Sequence, residues 1–179
     1  MSGAFAAALV EMVGGLTLAR EAYAPAHEEA RASRAQAEGL RQELLTLAAA
    51  DAAALAGFER ALALPRGTVA ERESRDRQKR TALGEATAIQ HDVLAKAAAV
   101  AELALAMAER GLESARGDAA TGGVLAAGVA RSAFWAVRVN VESEPRGSEI
   151  RALADAAVGL LARVEEVERK LGPLLARPE

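Results

Sequence analysis

Cysteine is absent from the 179 residues, which excludes a disulfide scaffold, a thiolate metal site and a cysteine nucleophile. Histidine is nearly absent. His27 and His91 lie far apart with no ligand spacing around either, so no metal centre is expected. Aromatic residues make up 3% of the chain, which argues against a β-sandwich or barrel. Positive charge is not in excess: 22 Lys and Arg stand against 25 Asp and Glu, a net charge of -3. A nucleic-acid partner is therefore not expected. Targeting signals are not seen either. The stretch from Met1 to Leu18 carries Glu11, has no basic lead, and is shorter than a membrane span. It reads as a buried helix of a cytoplasmic protein with no membrane partner.

What the sequence does have is alanine, about a quarter of the residues, together with 51% hydrophobic and 26% charged residues. Such a composition is helical almost throughout. The punctuation predicts five helices in one domain spanning residues 1–179. The first runs from about Ser2 to Tyr23, with Phe5, Leu9, Met12, Val13 and Leu16 as its stripe. Gly14-Gly15 inside it marks close packing or a ligand's approach. Pro25 stands at the start of the second helix, which runs to about Leu62. Leu40, Leu44, Leu47, Asp51, Leu55, Phe58 and Leu62 share one face of it.

After a turn at Leu64–Thr68 the third helix runs to about Arg110, with room for a bend near Thr87–His91. Its charged start, Glu71 to Arg80, reads as a solvated face. Gly111–Gly117 reads as a loop, and Asp118 or Thr121 as the cap of a fourth helix ending near Val141. That helix is apolar around most of its girth. A turn at Pro145–Ser148 precedes the fifth helix, Glu149 to about Leu171, which Gly172-Pro173 ends. The expected fold is all-α: an elongated up-and-down bundle. The apolar girth of the first and fourth helices predicts a homodimer, because a monomer would expose too large a patch.

Asp51 is the sharpest chemical feature. A carboxyl group in a Leu/Phe stripe is costly to ionise, which suits a general acid at neutral pH. An ordinary core aspartate, satisfied by an arginine or a main-chain N–H or lying at the rim of the stripe, explains the pattern equally. Asp118 serves as a helix cap on the plainest reading. Arg131 and Arg138 share one face of the fourth helix; they pair with acids or hold a substrate carboxylate. Asn140, the sole asparagine, lies near that helix's end. His91 is more readily structural than titrating.

In order and spacing, several segments resemble the cyclodeaminase/cyclohydrolase family of folate metabolism. Ala8–Thr17 is similar to that family's first helix. Asp51-Ala52-Ala53-Ala54-Leu55, followed by Ala63-Leu64-Pro65-Arg66, resembles its acid–Ala–x–Ala–aromatic segment and Leu-Pro turn. Gly111–Asp118 and Val137–Asn140 resemble a later loop and the end of its fourth helix. The resemblance implies a dimeric helical bundle with folate between helices. It also implies a tetrahydrofolate derivative as substrate, no tightly bound cofactor, and Asp51 as the catalytic acid/base. Asp118, Arg138 and Asn140 become candidates for substrate binding. In the implied cyclodeaminase reaction a folate nitrogen attacks the formimino carbon and ammonia leaves. In the cyclohydrolase reaction water attacks the methenyl cation.

The sequence departs from the family pattern at Gly15, Gln90, Leu112, Ser114 and Ala136, and opens at Met1 past the position of the family's Gly-rich loop. These departures imply a divergent member. They also raise the alternative of a weak or inactive homologue serving as a dimeric ligand- or partner-binding module.

Overall fold

The computed structural model describes residues 1–142 and 148–175. Five α-helices carry the fold: α1 Ser2–Leu18, α2 His27–Leu62, α3 Val69–Arg110, α4 Arg116–Asn140 and α5 Glu149–Leu175. Short 3₁₀ segments at Glu21–Ala26 and Glu113–Ala115 join α1 to α2 and α3 to α4. No strand occurs among the described residues. Helices α1 to α4 form a ring of neighbours, α1 on α2, α2 on α3, α3 on α4 and α4 on α1, and α5 lies in the outer groove of α3 and α4. The chain runs up and down throughout, as the punctuation predicted.

Alanine sets the packing. Most of the buried residues are alanines, with Val10, Val13, Leu94, Val100, Met107, Val137, Val164 and Leu171 as the larger fully buried side chains. Small side chains let the helix backbones approach closely. A Cβ on Gly122 would fall 3.1 Å from the carbonyl oxygen of Ala6, and one on Gly14 would fall 3.1 Å from that of Ala30. Gly15, by contrast, faces open space.

Ion pairs mark the seams: Arg41–Glu11 at 2.6 Å between α2 and α1, and Arg110–Glu29 at 2.8 Å between α3 and α2. Arg163–Glu102 at 2.8 Å links α5 to α3, and Arg131 of α4 pairs with Glu168 and Glu165 of α5. Part-exposed pairs of this kind add little stability, but they agree with one register at the seams they span.

Several expected boundaries move. Helix α1 stops at Leu18 instead of Tyr23, and Pro25 lies within a 3₁₀ segment, with α2 starting at His27. The Thr17 hydroxyl donates to the carbonyl of Val13 at 2.8 Å and accepts from the N–H of Leu112 at 2.9 Å. The Tyr23 hydroxyl accepts from the N–H of Glu113 at 3.1 Å. Anchored there, the expected 111–117 loop shortens and α4 begins at Arg116, ahead of Asp118. Asp118 is thus a first-turn residue and not the cap; Ala115 holds the cap position without a side-chain hydrogen bond.

Helix α3 is continuous through Thr87–His91, where the Thr87 hydroxyl donates back to Leu83 at 2.7 Å. Its charged start is more than a solvated face. Arg75 donates to the carbonyl of Leu62, and Arg72 to those of Arg66 and Gly67, closing the turn. Thr68 and Glu71 form a reciprocal capping box. Helix α5 continues past Gly172-Pro173 to Leu175, because a proline so near a helix end removes only one hydrogen bond. Of the expected turn at Pro145–Ser148, residues 145–147 lie outside the described residues.

The largest correction concerns which faces are buried. In α1 the small face is inside: Gly3, Ala6, Ala7, Val10, Val13, Gly14 and Thr17 are buried, whereas Phe5, Met12 and Leu16 are exposed. In α2 the stripe holds at Leu40 and Leu44 and then drifts, so that Ala54 and Ala61 are buried and Leu55 and Leu62 exposed.

Candidate functional site

The site arises where α1 begins. Gly3 abuts Leu44 of α2 and Val129 of α4, so the first turn of α1 sits part-way along those helices. Beside it α2, α3 and α4 enclose a cleft of about 210 Å³. Met1–Ala4 form its floor, Leu44, Leu47, Ala48 and Asp51 one wall, Gln90 and Val93 the back, and Val129, Ser132 and Ala133 the other wall.

Asp51 is half-buried at this cleft. The side-chain amide of Gln90, on α3, donates to its Oδ1 at 2.7 Å. The expected cost of a carboxyl group in an apolar stripe is relieved in two ways: the stripe opens to the cleft here, and a neutral amide supplies a hydrogen bond. No arginine or main-chain N–H satisfies Asp51 among the described residues.

The first turn of α1 adds main-chain N–H groups without intrahelical acceptors. Met1 offers no side-chain cap, and the turn contains no acid. The cleft therefore combines a carboxyl group, an amide, the Ser2 and Ser132 hydroxyls and the positive end of a helix, between apolar walls. Such a site can bind a flat, mostly apolar ring with polar edges and exchange a proton with it.

The other predicted residues lie elsewhere. Asp118 is exposed in the first turn of α4, fourteen residues before Ser132, or roughly 21 Å along the helix. Arg138 is exposed and lines a second cleft of about 190 Å³ with Trp135, Arg151 and Asp155. Asn140, half-buried, is the last residue of α4 and lines neither cleft. The structure brings none of the three to Asp51. Arg131, seven residues before Arg138, is committed to α5: its hydrogen bond and charge pairing with Glu168 raise its pKa above the ordinary arginine value. His91 follows Gln90 on α3 but is not in the lining, and its Nε2 is buried without a hydrogen-bond partner.

Ser2, Gln90 and Ser132 are the polar residues of the cleft that sequence reasoning did not assign to it. Ser132 carried no signal. Gln90 did, as a departure from the resembled pattern, yet nothing in the sequence set it opposite Asp51.

Comparisons with known proteins agree with this architecture. Residues 1–160 match the family described as Formiminotransferase-cyclodeaminase. The methenyltetrahydrofolate cyclohydrolase of Methylorubrum extorquens is 30% identical over 175 residues, which cover 96% of this chain and 82% of that protein. The crystal structure of formiminotetrahydrofolate cyclodeaminase from Thermotoga maritima superposes with a TM-score of 0.73 at 23% identity, covering 97% of this chain and 83% of the other.

Proposed function

The chain belongs to the formiminotransferase-cyclodeaminase family, and on that premise we propose that it is a folate one-carbon enzyme whose reaction centre is the cleft at Asp51. One observation carries the reading: the cleft holds a carboxyl group as the one ionisable side chain of its lining, beside the first turn of α1. The apolar walls suit a pterin-like ring, and the N–H groups of α1 suit its carbonyl edge. The tetrahydrofolate derivative is the substrate, and the chemistry requires no second cofactor.

For a methenyl substrate, water adds to the cationic carbon while Asp51 takes one of its protons. The neutral adduct then loses its hydroxyl proton and breaks one of its two C–N bonds. The released nitrogen takes up a proton, leaving a formyl group on the other; the net release is one proton. For a formimino substrate, the second folate nitrogen bonds to the formimino carbon, Asp51 delivers a proton to the amine nitrogen, and the C–N bond to that nitrogen breaks to release ammonia and leave the methenyl cation. Arg138 and Asn140, at the same end of the bundle as the cleft, are candidates for the glutamate-bearing part of the folate. Asp118 stands outside the cleft of its own chain.

Asp51→Asn tests the assignment. Amide and acid are of similar size, so the melting temperature changes little, while turnover of methenyltetrahydrofolate and 5-formiminotetrahydrofolate falls by two orders of magnitude or more, about the contribution of a general acid–base group. Wild-type turnover by this variant rules the role out.

The reading includes a homodimer formed through α1 and α4. Phe5, Met12 and Leu16 on α1 and Val124, Trp135 and Val139 on α4 are each at least 42% exposed. The two helices pack side by side, so these side chains form a broad apolar surface, larger than monomers ordinarily leave in water. Its middle carries no charge: Glu11 is drawn aside to Arg41, and Arg131 to α5. A second copy of the same surface is its natural complement.

A further inference from the structure

We infer that Gln90 is a positioning residue: it ties Oδ1 of Asp51, leaves Oδ2 as the oxygen that handles protons, and so fits this cleft to hydrolysis of a cationic one-carbon unit. This rests on the assignment of the cleft given above. The Gln90 amide nitrogen carries only donors, so the oxygen it meets at 2.7 Å must be an unprotonated acceptor. Any proton on Asp51 is then confined to Oδ2.

Oδ2 is then the oxygen that serves as base. Addition of water to a methenyl cation needs one: the water oxygen bonds to the carbon, and one water proton passes to Oδ2. A carboxylate also attracts the cation. Expulsion of ammonia from a formimino group instead needs a proton already on Asp51, and with Oδ1 held as an acceptor only Oδ2 can carry it. The chain is therefore a better cyclohydrolase than cyclodeaminase.

Nothing else around Asp51 competes for this role. The α2 wall adds Leu47 and Ala48, and the α4 wall adds Val129, Ser132 and Ala133, all uncharged. From α1 the cleft receives Met1, Ser2, Gly3 and Ala4, none with an ionisable side chain. His91 and Asp92 follow Gln90 on α3 but are not in the lining. Gln90 is thus the side chain through which the cleft controls its one ionisable side chain.

The test compares wild type with Gln90→Leu, which keeps the bulk and removes the donor. Gln90→Met is the second variant if leucine fails to fold. Steady-state kinetics with methenyltetrahydrofolate are measured across pH, alongside ammonia release from 5-formiminotetrahydrofolate. Loss of one hydrogen bond to a charged group corresponds to about a tenfold fall in kcat for hydrolysis. The expected result is that fall with KM within about twofold of wild type and a lower ratio of hydrolysis to ammonia release. A residue that merely fills space would change kcat or KM without moving the ratio, and that outcome overturns the inference. So does wild-type behaviour in every respect. Failure of the underlying reading looks different: no turnover of either folate by wild type, or full turnover by Asp51→Asn, removes the assignment of the cleft and this inference with it.

Discussion

Glycine plays opposite parts at different positions in these helices. Gly122 lies where α4 crosses α1, and a Cβ there would fall 3.1 Å from a main-chain oxygen and 3.4 Å from the Cβ of Leu9. Neither neighbour can rotate away. Gly122→Val is expected to destabilise the fold by about 1–3 kcal/mol, as overpacking of a tight contact does. Gly159, exposed in the middle of α5, meets nothing within 4 Å. Gly159→Ala is expected to stabilise by about 0.5–1 kcal/mol through backbone entropy alone. Urea titration of both variants checks the opposite signs. At the same scale, the prominence of Asp51 was legible as a break in an apolar stripe. Its partner was not. Counting outward symmetrically from the Leu64–Thr68 turn sets Asp51 opposite residues near 80. The actual register sets it opposite Gln90, because Arg75, and not the first residue of α3, meets the end of α2.

Among the elements, α5 is the most separately held, packed chiefly on α3 and α4. Its own surface carries a local acid-sensitive device. Hydrogen bonds from Arg169 and then Lys170 hold the Glu166 carboxyl below the ordinary carboxylate range. A carboxyl group lowered in the folded state stabilises above its unfolded value, and that contribution is lost as pH falls through the folded value. Thermal melts below the ordinary carboxylate range are therefore expected to fall less steeply with acidity for Glu166→Gln than for wild type, with no difference in the direction of change near neutrality. Equal acid dependence would show that the pair is too solvated to matter. The arginines of the seams behave in the opposite sense. Arg41, Arg110, Arg131 and Arg163 are each raised first by a hydrogen bond to a glutamate, so their contribution is full at neutral pH and lost only at strongly alkaline pH. The ends of the elements shifted where tertiary contacts outweighed local signals. Asp118 is a good cap by type, but the anchors from Thr17 and Tyr23 start α4 before it.

For the whole molecule, the apolar surface over α1 and α4 is the decisive feature. Sedimentation at micromolar concentration is expected to give twice the chain mass. Paired charges placed on the surface, Phe5→Glu with Trp135→Glu, are expected to give a monomer of lower melting temperature. A wild-type monomer would overturn the dimer, and a charged variant that stays dimeric would move the interface elsewhere. The variant also separates two roles of the surface. Turnover that survives in the monomer shows that each cleft works alone, whereas loss of turnover with intact helicity shows that the second copy completes it.

The sequence by itself determined the helical class, the number of helices and their up-and-down order, because alanine content, turn residues and spacing act locally along the chain. It also singled out Asp51, since one polar residue in an apolar run is visible without a partner. Which face of each helix turns inward was decided only in three dimensions. Hydrophobic periodicity marks the large apolar side chains, but here close packing buries the small ones and leaves Phe5, Met12 and Leu16 outside. The cleft was decided there as well. It lies where α2, α3 and α4 meet beside the first turn of α1, and the Asp51–Gln90 hydrogen bond depends on the sliding register of two long helices, which no spacing within either one encodes.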